Sequence, residues 1–278
     1  MLGYNSRRAG MFLGAVFTFL ASPNAAAAPP SAPAPSYARL ASLADSAPLI
    51  ARVKLRQTVT LKPAQATGLR PGWVRIYAES QTEALLAGTP IGEQLRYLVD
   101  VPLDPRGKPP VLMKREVVVF ARGVVQRPGE LQLITPDSQL LWDPTLEARL
   151  RAILAELRAP DAPPAIVGVR EASYVPGNLA GEGETQLFLD TQDGSPASIT
   201  VVHAPGAATH WGASFSEVVD PAARPPVRDT LAWYRLACSL PAMLPPGASV
   251  SATPADHDQA EADYRLVLSE LGPCDKTR

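Results

Sequence analysis

A short apolar segment bounded by charged residues sets the strongest constraint on the first half of the chain. Residues 114–122 read Lys-Arg-Glu-Val-Val-Val-Phe-Ala-Arg. Three consecutive valines and a phenylalanine favour a β-strand buried on both faces over a helix, because β-branched and aromatic residues are enriched in strands. The sequence therefore predicts a central strand here, with its charged ends in solvent. We interpret this strand as the scaffold of a first domain, with no catalytic role.

Segments with alternating or mixed polarity predict further strands around it. At 73–86, Val74 and Ile76 alternate with polar or aromatic residues, which is the period-two pattern of a half-buried strand. The other strands predicted in the first half lie at 49–57, 94–101 and 130–135. Ser36 is expected to cap a short helix before these strands, and Asp143 to cap a helix after them.

The order of a helix, about five strands with long connections, and a closing helix is typical of a small OB-like β-barrel. The segments Ala-Asp-Ser-Ala-Pro-Leu-Ile-Ala-Arg-Val at 44–53 and Glu-Val-Val-Val-Phe-Ala-Arg at 116–122, separated by a Pro/Gly-rich loop, resemble netrin/TIMP-like OB domains of secreted proteins. The resemblance covers about residues 40–140, and it implies that the first segment opens a barrel and the second closes it. Inhibitory members bind a metal through an N-terminal cysteine, which this chain lacks. The whole chain also resembles secreted bacterial proteins that have no assigned activity.

The first thirty residues have the order of a secretory signal peptide. Arg7 and Arg8 form a positive segment, and an uninterrupted apolar run at 11–21 precedes small residues, so we predict a signal peptide at 1–27. A Pro/Ala linker at 28–35 is expected to follow. The apolar run is too short to span a bilayer, and no later segment approaches eighteen apolar residues. We expect a periplasmic or secreted protein with no membrane span in the mature chain.

Export changes the interpretation of the two cysteines. Outside the cytosol an even number of cysteines predicts a disulfide, so Cys238 and Cys274 are expected to be bonded. The bond would close a loop of about forty residues. It would also join the ends of two predicted C-terminal helices, which begin near Asp229 and Pro254.

The overall prediction is an α+β, mainly β protein with two domains. An OB-like barrel with flanking helices is expected at 36–158, followed by a proline-rich linker at 159–164. An antiparallel sheet covered by the two C-terminal helices is expected at 165–278. Its strands are predicted at 166–174, 185–191, 197–203 and 210–219.

A two-residue turn at Asp193-Gly194 is the strongest hairpin signal in the second domain. Such a turn pairs Phe188 with Ile199 and places both on the face that carries Val201. Because a slip of one residue moves every side chain to the other face, this turn sets which residues enter the core.

Two histidines are the weak candidates for metal ligands, since imidazole suits zinc and copper. The apolar residues around them favour a register with Val201 opposite Ala213 and His203 opposite Trp211, which places His210 in the loop. We therefore assign both histidines to structural or exposed positions and predict no metal site.

Composition and motifs argue against several functions. The chain has 26 basic and 27 acidic residues, a formal charge of −1, so no basic surplus indicates nucleic acid. It contains no Gly-x-Ser-x-Gly elbow, His-Glu-x-x-His motif or P-loop. His257, near Asp256 and Asp258, is interpreted as part of a solvated helix start. We expect no catalytic residues, no cofactor and no nucleic-acid partner.

These observations favour a non-catalytic binding or adaptor protein of the cell envelope, with another envelope protein as its partner. Its expected contact surface is formed by the loops at 62–71, 87–93 and 102–110, because binding residues usually lie on loops held by a scaffold. Two alternatives remain open. One is an envelope hydrolase, metal-dependent or otherwise, that uses His203, His210 and nearby acids; the other is an inhibitor of an envelope protease.

Overall fold

The computed structural model of the chain describes residues 1–3, 34–217 and 223–277. The predicted signal peptide, beyond its first three residues, and most of the predicted linker lie outside the described residues. From residue 34 onward the chain forms one compact unit. Its described residues form an α+β arrangement of two antiparallel sheets and four α-helices. None of those helices combines the length and apolarity that a membrane span requires.

The helices and strands of the first half follow the predicted order, with an additional strand and a short 3₁₀ helix. Helix α1 at Tyr37–Ser46 begins after Ser36, whose hydroxyl accepts a hydrogen bond from the backbone N–H of Arg39 at 3.0 Å. The strands are β1 at Leu49–Thr60, β2 at Trp73–Ala87, β3 at Gln94–Pro102, β4 at Glu116–Gly123, β5 at Leu131–Leu133 and β6 at Gln139–Leu141. A 3₁₀ helix at Pro63–Gln65 follows β1, and helix α2 at Pro144–Arg158 follows β6. Asp143 caps α2 as predicted.

Strand β4 is buried on both faces, which confirms the first prediction. The strand order is β3-β2-β1-β4-β5, and β6 also pairs with β4. Val117 and Val119 point into a core formed with β1, β2, β3 and β5. On the opposite face, Val118 and Phe120 belong to a second core, and both are fully buried. That second core includes helices and strands from the far half of the chain, so β4 organises more than the first half, contrary to our expectation.

The first sheet is open between its outer strands, β3 and β5. One β-bridge joins Arg96 to Glu130, and the backbone N–H of Arg96 donates to the carbonyl of Gly129 at 2.8 Å. The N–H of Asp100 donates to the carbonyl of Pro136 at 2.7 Å. Within the described ranges no ladder of paired residues joins the two strands. The predicted barrel is therefore not a closed one.

The second half contains the predicted antiparallel sheet. Its strands are β7 at Ile166–Pro176, β8 at Gly183–Thr191, β9 at Ser198–His203 and β10 at His210–Ser214, in the order β10-β9-β8-β7. Helix α4 at Pro254–Leu271 packs on β7 and β8, whereas helix α3 at Leu231–Ala237 packs on α4 and on the two helices of the first half. Thr230, rather than the predicted Asp229, caps α3. The predicted disulfide between Cys238 and Cys274 is confirmed, with 5.2 Å between the Cα atoms.

The predicted pairing register between β8 and β9 is wrong by one residue. Leu187 lies opposite Ile199, and Phe188 lies opposite Ser198. The connection is longer than two residues, at 192–197 between the strand ends. Because side chains alternate along a strand, this register buries Leu187 completely and turns Phe188 to the other face, where it is half-buried.

The register between β9 and β10 differs from the prediction by two residues. Trp211 lies opposite Val201, and Ala213 lies opposite Ile199. His210 is the first residue of β10 rather than part of the loop. A shift of two residues leaves every side chain on its predicted face, so the apolar pattern does not distinguish the two registers. The strand ends at Ser214, whereas the prediction continued to residue 219.

One hydrophobic core contains residues from both halves of the chain. It includes Leu40 of α1, Leu150 of α2, Ile199 of β9, Leu236 of α3 and Val267 of α4. Helix α2 ends at Arg158, where the predicted linker at 159–164 begins, and the domain boundary placed there stays a prediction.

Candidate functional site

The structure places the two candidate histidines in different surroundings. His203, the last residue of β9, has a side chain that is 19% exposed and enclosed by polar partners. His210 is exposed at the start of β10. In the described part of the chain no three His, Cys, Asp or Glu residues form a group suited to a metal ion.

A buried carboxylate holds the ring of His203. Both carboxylate oxygens of Asp263 lie 2.9 Å from Nε2 of His203, although the two residues are 60 positions apart. Asp263 is 2% exposed, and it also accepts hydrogen bonds from the hydroxyl of Thr185 and, at 3.0 Å, from the side-chain amide of Gln259. A buried charge needs such partners, because an unpaired one is strongly disfavoured.

These contacts indicate which ring nitrogen of His203 carries the hydrogen when the imidazole is neutral. A carboxylate only accepts hydrogen bonds, so Nε2 of His203 is the donor to Asp263. The other nitrogen, Nδ1, then has a free lone pair, and it lies 3.1 Å from the hydroxyl oxygen of Thr209. Thr209 is the donor in this contact. The three side chains form a line from carboxylate to imidazole to hydroxyl.

Local sequence explains how the strands and α4 bring this line together. Thr185 lies on the buried face of β8, and His203 pairs with Gly183 of the same strand. The rings of Tyr174 and His203 form a T-shaped pair, with 6.1 Å between ring centroids. A Cβ atom at residue 183 would lie 2.1 Å from the Tyr174 hydroxyl, so glycine leaves the space that this tyrosine occupies. Asp263 shares the inward face of α4 with apolar core residues.

His257 also has a hydroxyl partner. Its Nδ1 lies 2.6 Å from the hydroxyl oxygen of Ser249, and the residue is half-buried near the start of α4. The prediction of a solvated helix start therefore holds only in part, since Asp258 is exposed but the imidazole of His257 is not free in solvent.

A second candidate site is a cavity of about 580 Å³ where β3 approaches β5. Its volume is within the range of small-ligand pockets. The polar and charged lining residues include Arg75, Tyr77, Arg96, Asp100, Glu130 and Gln132. Apolar side chains form much of the remaining wall, and among them Leu98 exposes 48% of its surface.

An ion pair fixes one wall of this cavity. Arg75 and Asp100 are direct cross-strand partners, and the guanidinium donates two hydrogen bonds to the carboxylate, at 2.6 and 2.9 Å. The hydrogen bond to Asp100 raises the pKa of Arg75. The carboxylate of Asp100 is nearly buried, with 6% of its side chain exposed, and Arg75 also donates to the carbonyl of Thr67 at 3.3 Å. Neither charge therefore requires a ligand to satisfy it.

The loops predicted as the contact surface do not line the cavity. Its wall comes from β2, β3 and residues 124–136. The lining residues were not identified from the sequence, because the strands were predicted one by one and the pairing of β2 with β3 was not predicted. The alternation that buries Val74 and Ile76 also points Arg75 outward, so a paired register would have brought it to Asp100.

No protein-family model matches the chain, and a search of curated proteins finds no significant similarity. Function is therefore inferred from the two sites described above.

Proposed function

We propose that the protein is exported and acts in the periplasm as a binding or adaptor protein of the cell envelope, with another envelope protein as its partner. The cavity between β3 and β5 is the observation that supports this role most directly. We further propose that the first sheet is an OB-like barrel, opened at this point. The position of β1 between β2 and β4, together with the backbone contacts between the outer strands, supports that arrangement.

The lining of the cavity suits an apolar group held by a polar rim. Leu98 is half-exposed there, although leucine is usually buried, and an entering apolar side chain would remove this surface from water. Because Asp100 is already paired with Arg75, such a group would leave no charge without a partner. Arg96 and Glu130 lie at the same cavity and can orient polar groups of the partner.

Two features support export. The residue order at 1–27 is that of a signal peptide, and the disulfide between Cys238 and Cys274 is a bond that persists mainly outside the cytosol. Fractionation of cells, with N-terminal sequencing of the periplasmic protein, tests this directly. A mature chain that begins at Ala28 is expected, and recovery of the uncleaved chain from the cytosol would contradict it.

Site-specific photo-cross-linking tests the binding role. A photoreactive residue in place of Leu98 is expected to capture a discrete partner from living cells. The matched control is Val59, which has a similar exposure of 45% and does not line the cavity. Capture at residue 98 and none at residue 59 would support the proposal. Equal capture at both positions, or recovery of a lone monomer after gentle extraction, would contradict it.

The identity of a captured partner also tests the inhibitor alternative. If the partner is a protease, the purified protein should reduce its activity, and Leu98→Asp should remove this effect. If the partner is not a protease, the adaptor role is the one supported.

A further inference from the structure

The line formed by Asp263, His203 and Thr209 has the relationships that nucleophilic catalysis requires. A hydroxyl must lie within hydrogen-bond reach of a base, and a third group must orient that base. Thr209 is 3.1 Å from Nδ1 of His203, and Asp263 holds Nε2 of the same ring at 2.9 Å. The geometry comes from three separate elements: the loop between β9 and β10, the end of β9, and α4.

The imidazole is held in one orientation by contacts on several sides. Asp263 fixes Nε2, while Thr185 and Gln259 fix Asp263 in turn. Tyr174 lies against the ring at an interplanar angle of 77°. Preorganisation of this kind matters because a base that is already aligned needs no rearrangement when it accepts a proton.

The residue at the other end of the line, Thr209, lies at the surface. Thr209 is exposed, and it ends the connection Ala-Pro-Gly-Ala-Ala-Thr at 204–209. The three residues before Thr209 are glycine and two alanines, which carry at most a methyl side chain and are themselves exposed. A substrate carbonyl can therefore approach the hydroxyl from solvent.

We propose that Thr209 is a nucleophile for acyl transfer from carboxylic esters, with His203 as its general base and Asp263 as the residue that orients the base. The Thr209 oxygen forms a bond to the ester carbonyl carbon while Nδ1 of His203 accepts the hydroxyl proton. The bond to the alkoxy group then breaks, and His203 returns the proton to it, which releases an alcohol. Water hydrolyses the acyl-threonine by the same steps, releases the acid and restores Thr209.

This activity goes beyond the binding role and does not depend on it. The line of three residues is formed by the end of β9, the loop after it and α4, whereas the cavity is lined by the first sheet and residues 124–136. Thr209→Val should leave cross-linking at residue 98 unchanged, so failure of one proposal does not imply failure of the other.

A fluorophosphonate probe tests the nucleophile without knowledge of the natural ester. In mildly alkaline buffer the Thr209 oxygen bonds to phosphorus, fluoride leaves, and His203 accepts the proton. Peptide mapping by mass spectrometry is expected to place the adduct on Thr209. Thr209→Val and His203→Gln should each lower the labelling rate about 100-fold or more, the scale of general-base assistance. Thr209→Ser should still be labelled.

His210→Gln is the matched control, because it changes the adjacent histidine, which lies outside the line, and should leave the labelling rate unchanged. Thr209 is exposed, so Thr209→Val is expected to fold, and circular dichroism checks that it does. Absence of an adduct on Thr209, or a labelling rate that His203→Gln does not lower, would overturn the proposal.

Discussion

The guanidinium of Arg235 in α3 donates two hydrogen bonds to the carboxylate of Asp45 in α1, at 2.5 and 3.1 Å, across 190 positions of the sequence. A third donor of the same side chain, Nε, reaches the carbonyl of Pro163 at 3.1 Å. Only 10% of the Arg235 side chain is exposed. One residue therefore connects α1, the predicted linker and α3.

Arg235→Met is expected to destabilise the protein by about 2–3 kcal/mol, because it removes three donors while keeping most of the aliphatic volume. Urea unfolding measures this loss. Arg265→Met is the control, since Arg265 pairs with Glu261 at 3.7 Å on the exposed surface of α4. Its effect should be below about 0.5 kcal/mol. Similar losses for the two variants would show that the Arg235 contacts contribute little.

Gly129 lies just before β5, where the backbone comes close to β3. Its φ is +81°, and an added Cβ atom would lie 2.9 Å from the carbonyl oxygen of Gln94. Gly129→Ala is expected to cost about 2–3 kcal/mol, from the left-handed backbone and from the clash. Gly107 is the matched control, because its φ is +74° and nothing lies within 4 Å of an added Cβ.

Gly107→Ala should cost only about 1 kcal/mol, the backbone contribution by itself. Chemical denaturation of both variants under the same conditions gives the difference. If Gly107→Ala were as destabilising as Gly129→Ala, the close approach of residue 129 to β3 would not be responsible.

The disulfide between Cys238 and Cys274 joins residues 36 positions apart. In the chain-entropy description, its removal should lower the free energy of unfolding by about 3–4 kcal/mol. Unfolding with and without reductant measures this effect in the natural chain. A variant with serine at both positions should be as stable as the reduced natural chain, with or without reductant. If reductant changed the stability of that variant, the effect of reductant on the natural chain would have another cause.

Acid should weaken the contacts of Glu147 at the start of α2. Burial raises the pKa of this carboxyl, but hydrogen bonds from Arg151 and Trp142 outweigh it and hold the pKa below the ordinary value of 4.5. A carboxyl whose pKa is lowered by folding adds stability above its unfolded pKa, and this stability is lost as the pH falls through the folded pKa.

Thermal unfolding of Glu147→Gln and the natural chain measures this dependence. The difference in Tm should be largest above about pH 5 and should shrink as the pH falls below about 4.5. Glu83→Gln, at an exposed position of β2, should show a small difference at every pH. A Glu147→Gln difference that does not change with pH would rule out a contribution from the ionised carboxylate.

Elements whose limits depend on neighbouring residues were predictable from the sequence. Ser36 and Asp143 accept hydrogen bonds from N–H groups three positions along the chain, so their helices begin where local chemistry indicates. The last helix begins at Pro254, as predicted. The consecutive valines of β4 predicted burial on both faces without knowledge of the partners.

Features that depend on distant residues were not predictable. Leu187 and Phe188 are both apolar, so either could have been the buried one, and the longer connection at 192–197 decided between them. Thr185 is buried because its hydroxyl meets Asp263, 78 positions away. His203 was recognised as a candidate, but no spacing in the sequence indicated its partner on α4.

Strand β4 couples the two cores thermodynamically. Val117 and Val119 contribute to one core, and Val118 and Phe120, in the alternating positions, contribute to the other. If either core melted, it would expose one face of β4 to water while the other face still needed the strand in place. We therefore expect the two cores to unfold together, so that a destabilising substitution in this strand lowers the melting temperature of the whole described fold.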